Sequence, residues 1–176
     1  MIALLLLLAL LITPQNLISA LTYRCRLLYN QQNFFRDKHM QANVKWVEGD
    51  TFIGRSNSNH NVVFDAGSDS AAPSPMEMVL MSVGCCSSVD VVSILKKAKQ
   101  DFSDVQVQLS SERAETAPRV FTKINLHFVV TGNNVSEKHL ARAVSLSAEK
   151  YCSVALMLDK TVEITHSHEV VQEQVK

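Results

Sequence analysis

Cys85 and Cys86 lie side by side in an apolar run that begins at Met76, and a third thiol, Cys152, follows 66 residues after Cys86. Thiols held inside helical segments have two readings. Cysteine is among the most often buried residue types and fills cores as a small hydrophobe. Thiols of this placement also suit redox chemistry, in which a thiolate is oxidised and a second thiol closes a disulfide on it. Both readings stand open on the residues alone. There is no CxxC pair and no His–Cys spacing of the zinc type, so no structural metal is expected. Four cysteines, the fourth being Cys25, are too few and too unevenly placed for a disulfide framework.

Other residues able to do chemistry are sparse. Glu77 stands three residues after Ser74 and one turn ahead of Met81. Asp90 lies one turn beyond Cys86, where a carboxylate raises a thiol pKa. His166 and His168 alternate and share one strand face, with Glu169 on the other; a two-His metal site would need further ligands. His127 reads as a solvated strand residue. Met76, Met78 and Met81 suit a core, or a pocket for an apolar ligand.

The elements that position these groups follow from patterning. Val44–Val47, Thr51–Gly54 and Val62–Asp65 read as short strands, separated by turn signals at Glu48-Gly49-Asp50 and Ser56-Asn57-Ser58-Asn59. Ser74 is a good N-cap, Pro75 suits the first helical position, and Glu77 completes an S-x-x-E capping box. The helix it starts is apolar on every side from Met76 to Cys86, which predicts burial all round. Gly84 inside it costs about 1 kcal/mol against Ala, so a close approach by another backbone or a ligand is expected there. Strands follow at Val105–Ser110 and Val120–Val130, the latter with Ile124, Leu126, Phe128 and Val130 on one face. A second helix spans Ser136–Tyr151, a short one Cys152–Leu158, and a last strand Thr161–Val171.

Three strands, a helix, two strands, helices and a strand make an α+β domain with an antiparallel sheet. One curved sheet cannot cover an all-apolar helix, and an obligate homodimer would supply the remaining cover.

Lys+Arg and Asp+Glu balance at zero net charge, so no electrostatic footprint for nucleic acid is present. Length and a 47% hydrophobic content suit one globular domain. Residues 1–39 differ from the rest. Met1–Ile12 is nearly pure Leu, Ile and Ala, shorter than the roughly 20 residues that span a bilayer, and no basic segment precedes it. The readings are a signal segment, an anchor, or residues upstream of a true start at Met40. The last makes the protein cytoplasmic; the others make it exported or membrane-anchored.

From Met40 onward the chain resembles the OsmC/Ohr superfamily, and more narrowly its YhfA-like branch. The blocks that carry the resemblance begin Met40-Gln41-Ala42-Asn43, Ala72-Pro73-Ser74-Pro75-Met76-Glu77, Asp90-Val91-Val92-Ser93 and Ser147-Ala148-Glu149-Lys150-Tyr151-Cys152. It implies a curved antiparallel sheet with a buried central helix, an intertwined homodimer, and a cytoplasmic protein starting at Met40. It further implies a thiol-dependent peroxidase that reduces organic hydroperoxides without metal or cofactor. Cys86 takes the peroxidatic position and Cys152 the resolving one, and an external dithiol returns the disulfide to thiols. In the peroxidase branches a glutamate directly after the helix-starting proline pairs with an arginine to activate the cysteine. Here that position is Met76, and the carboxylate is Glu77, about 100° further round the helix. Arg55 is the arginine nearest the family's other position. The alternative implied by this departure is a non-catalytic dimer that binds a small apolar ligand or senses redox state.

Overall fold

Hydrophobic alternation along the chain becomes two three-stranded sheets. The structure, a computed structural model, describes residues 40–173, so expectations for residues 1–39, Cys25 included, lie outside the described residues. The described chain divides into two compact units, with the boundary between Val63 and Phe64.

In the first unit, β1 (Ala42–Glu48) and β2 (Thr51–Ser56) form an antiparallel hairpin running from Ala42 opposite Ser56 to Glu48 opposite Thr51. Gly49 turns the chain at φ 49°, a left-handed conformation that favours glycine. The Trp46 indole N–H donates to the Gly49 carbonyl at 2.9 Å. β3 (Asn61–Asp65) completes the order β1-β2-β3 and runs across the boundary into the second unit. Every residue of β1 is exposed.

The second unit is built on β4 (Phe102–Arg113), β5 (Phe121–Gly132) and β6 (Glu163–Gln172), with β5 in the middle. On β5 the expected face is buried: Ile124, Leu126, Phe128 and Val130 are each at most 1% exposed. Burying a side chain of this kind contributes about 1.5–3 kcal/mol, so this alternation anchors the unit. β4 and β5 are antiparallel as expected. β6 departs from a simple meander and lies parallel to β5, with Leu126 opposite His166. The reason is the length of the intervening chain: a parallel return needs a crossover of a dozen or more residues. The helices from Glu137 to Leu158 supply it.

The central helix, α1, spans Pro75–Lys97 and starts as the residues predict. The Glu77 backbone N–H donates to Ser74 Oγ at 3.3 Å, and the Glu77 carboxylate accepts the Ser74 backbone N–H at 2.8 Å. Asp65 orders the loop before it by accepting the amides of Gly67 and Ala71, each at 3.0 Å. By length and composition α1 is apolar enough to cross a membrane. In this fold Val83, Gly84, Ser87, Val91 and Leu95 form its buried stripe, which is the pattern of a core helix.

Burial all round is not what one chain achieves. Met81, Cys85 and Val89, spaced by four residues, make an outward stripe, with Met81 43% and Val89 63% exposed. A sheet covers one face of a helix, and the apolar composition of the other face is left uncovered. Gly84 also has a different cause from the expected one. It admits the Leu109 side chain of β4, whose Cδ1 would lie 2.7 Å from a Cβ at this position.

The predicted second helix is not continuous. It divides into α2 (Glu137–Leu146) and a π-helical turn (Ser147–Tyr151), and α3 (Ser153–Leu158) follows.

Candidate active site

The π-turn delivers Cys152 to the central helix. Its closing bond runs from the Cys152 backbone N–H to the Ser147 carbonyl at 2.9 Å, an i→i+5 contact. Such turns insert one residue into a helix and re-aim the side chains beyond the insertion. Here Cys152 leaves the helix in an extended conformation and becomes the N-cap of α3, its sulfur accepting the Ala155 N–H at 3.4 Å.

A second donor reaches the same sulfur from α1. Ser87 Oγ donates to Cys152 Sγ at 3.1 Å, and both residues are fully buried. Cys152 Sγ in turn lies 3.9 Å from the Val83 carbonyl, an acceptor for its thiol. The turn is pinned to α1 at its other end as well. Ser147 Oγ donates to the Asp90 carboxylate at 3.1 Å and lies 3.4 Å from the Ser87 carbonyl. Buried hydroxyls need such partners, because an unmade bond in the interior is expensive.

Cys86, half-buried on α1, is a direct side-chain neighbour of Cys152. The two expected thiols are therefore brought together across 66 residues of sequence. Burial pushes the Cys152 thiol pKa up and is the largest influence. The Ser87 and Ala155 hydrogen bonds pull it down, and the neighbouring Cys86 pushes it up again. Chemically, a buried sulfur held by two donors beside a more accessible thiol suits disulfide closure between them.

Other residues singled out in the sequence fall elsewhere. Cys85 is exposed on the outward stripe. Glu77 lies about 13 Å along the helix axis from Cys86, nine residues at 1.5 Å each. Its exposed carboxylate is engaged by Ser74, whose hydroxyl and then amide hold its pKa below the usual value. Arg55 belongs to the first unit and donates to Asn59 Oδ1 at 3.2 Å. Asp90 does face the thiol cluster, through Ser147.

His166 and His168 share the inner face of β6, yet they do not converge. His168 Nε2 lies 3.1 Å from Glu137 Oε1, whereas His166 Nε2 is buried with no hydrogen-bond partner among the described residues. No group of three or more His, Cys, Asp or Glu placed to hold a metal occurs among the described residues. His127 is not simply solvated. It is half-buried, hydrogen-bonded to Ser167 Oγ at 2.8 Å and 3.6 Å from Glu169 Oε1.

Sequence reasoning missed Ser87, Ser147 and the π-turn. A serine directly after Cys86 in an apolar helix was the available signal, since a buried hydroxyl implies a buried partner. Beside the first turns of α1 there is also an open cleft of about 520 Å³, whose apolar lining includes Ala72, Pro73, Leu80, Met81 and Leu109.

The family model for OsmC-like protein matches residues 67–167. The chain is 64% identical over 132 residues to Protein YhfA of Escherichia coli (strain K12), an alignment that covers 75% of this chain and 98% of that protein. Among solved structures, a hypothetical protein from Aquifex aeolicus VF5 is 32% identical, with a TM-score of 0.71 over 78% of this chain and 99% of the other. A Legionella pneumophila structure, described as an organic hydroperoxide resistance protein OsmC and predicted redox protein, is 16% identical. Its TM-score is 0.59 over 76% of this chain and 98% of the other, a likeness of fold alone.

Proposed function

The chain belongs to the OsmC-like protein family, and from that premise we propose that it is a thiol-dependent peroxidase for organic hydroperoxides, with Cys86 attacking and Cys152 resolving. The observation that carries this reading is that Cys152 is seated on α1 by Ser87, the residue next to Cys86, with Cys86 packed against the cluster that contains Cys152. The name of the Legionella pneumophila neighbour points the same way, and the apolar cleft beside α1 suits the organic part of such a substrate.

In the first step the Cys86 thiolate attacks the hydroperoxide, forming an S–O bond as the O–O bond breaks. The sulfur is oxidised to a sulfenic acid, and the departing alkoxide takes a proton to become the alcohol. In the second step the Cys152 sulfur attacks Cys86. A disulfide forms, the S–O bond breaks, and the hydroxide leaves as water with the proton that Cys152 gives up. An external dithiol then reduces the disulfide and is itself oxidised. No metal or cofactor takes part. We further propose a homodimer, whose second copy covers the exposed Met81–Cys85–Val89 stripe. A reducing cytoplasm is the compartment that would keep the dithiol available.

The test is titration of the reduced protein with cumene hydroperoxide and with hydrogen peroxide, followed by non-reducing peptide mapping. Stoichiometric Cys86–Cys152 disulfide, formed faster with the organic peroxide and absent in Cys86→Ser, is the expected result. Thiols that stay free under prolonged excess peroxide would reject the peroxidase reading and leave ligand binding as the role of the fold.

A further inference from the structure

We propose that Ser87 is a positioning residue for disulfide closure: its hydroxyl, with the Ala155 amide, holds the Cys152 sulfur beside Cys86 and prepares it to attack. This inference rests on the thiol reading above and adds a residue to its second step.

The geometry converges on one atom. Ser87 Oγ lies 3.1 Å from Cys152 Sγ, and the Ala155 N–H approaches the same sulfur at 3.4 Å. The Val83 carbonyl, 3.9 Å from the sulfur, is the acceptor within reach of the thiol's own hydrogen. When that proton leaves, the two donors remain aimed at the sulfur and strengthen, because hydrogen bonds to a charged acceptor are about twice as strong as neutral ones. They offset part of the burial penalty that disfavours a thiolate at this site.

Ser87 is also the point at which the π-turn is braced. Its carbonyl lies 3.4 Å from Ser147 Oγ, and its hydroxyl holds Cys152, so one residue of α1 touches both ends of the turn. Ser147 is fastened in addition to Asp90, one turn along α1 from Cys86. A turn fixed at both ends keeps the resolving sulfur from swinging away while Cys86 is a sulfenic acid.

The experiment tracks the two half-reactions separately in the full-length protein. A single pulse of cumene hydroperoxide is given to reduced wild type, Ser87→Ala and Ser87→Thr. Sulfenic acid on Cys86 is trapped with a cyclic 1,3-dione, and disulfide closure is monitored across pH. Ser87→Ala should form the sulfenic acid at the wild-type rate and close the disulfide about tenfold more slowly at neutral pH, the scale of one lost hydrogen bond to a charged group. Its closure profile should move to higher pH, and Ser87→Thr should restore both. Wild-type closure rate and profile in Ser87→Ala would overturn the proposal.

A second readout does not need peroxide chemistry. In protein labelled at cysteine Cβ with carbon-13, the titration of Cys152 should move to higher pH in Ser87→Ala, and an unchanged midpoint would overturn the proposal. If wild type forms no disulfide, the peroxidase reading and closure fail together, while this titration still decides whether the Ser87 hydroxyl stabilises the Cys152 thiolate. Ala is a stronger helix former than Ser, so Ser87→Ala keeps the helix that carries Cys86.

Discussion

Gly84 on α1 and Leu109 on β4 occupy one another's space: a Cβ on the glycine would lie 2.7 Å from Leu109 Cδ1. Helix and sheet meet at this point, and the absence of a side chain on one lets the other enter. Ala at position 84 would gain about 1 kcal/mol of helix propensity. It would also push Leu109 out of its rotamer, and overpacking of this kind costs about 1–3 kcal/mol. Gly84→Ala should therefore be neutral or destabilising by up to about 2 kcal/mol in chemical denaturation. In a Leu109→Ala background the same substitution should become stabilising, so the double-mutant cycle gives a coupling of about 1–3 kcal/mol. Additive effects would mean that Leu109 does not account for the glycine.

The start of α1 gives a pH-dependent prediction. Ser74 holds the Glu77 carboxyl below its ordinary pKa, so the folded state binds that proton less readily than the unfolded chain. The contribution is present above the unfolded carboxylate pKa and is lost as pH falls through the lower folded value. Ser74→Ala should cost about 1 kcal/mol at neutral pH through loss of the cap. The difference between wild type and variant in melting temperature should shrink under acid conditions, below about pH 4. A difference constant from neutral pH into that acid range would show that the capping box does not act through the Glu77 charge.

His166 shifts stability in the same direction as Glu77, but in the histidine range of pH. Burial alone lowers its pKa, and its Nε2 has no hydrogen-bond partner among the described residues. The folded state therefore binds a proton less readily than the unfolded chain, and stability falls as pH drops below the ordinary histidine value near 6.5. The loss continues until pH passes below the lowered folded pKa. His166→Leu should flatten melting temperature between about pH 7 and about pH 5 relative to wild type. The pairs His168–Glu137 and His127–Glu169 are present in both proteins, so the comparison isolates His166. Parallel profiles for the two proteins would show that this histidine opens to solvent before it charges.

Elements whose information is local are legible in the residues alone. Ser74, Pro75 and Glu77 start the helix because their side chains bond groups no more than three residues away. Ile124, Leu126, Phe128 and Val130 line the core because strand geometry sends alternate side chains to one side. The choice of Cys86 and Cys152 came from family resemblance, with their contact supplied only by the fold.

The remaining features depend on contacts between distant parts of the chain. The parallel direction of β6 depends on how the helices cross the sheet, which local alternation cannot express. The outward position of Cys85 depends on which side of α1 meets the sheet, since its apolar neighbours are equally apolar on both sides. The π-turn arises where α2 must end with Ser147 on Asp90 and Cys152 on Ser87, and those partners lie 57 and 65 residues away. A helical sequence of ordinary propensity continues in i→i+4 register unless distant contacts outweigh it. That is why the sulfur's place in the chain is legible in the residues, and its distant donor, Ser87, is not.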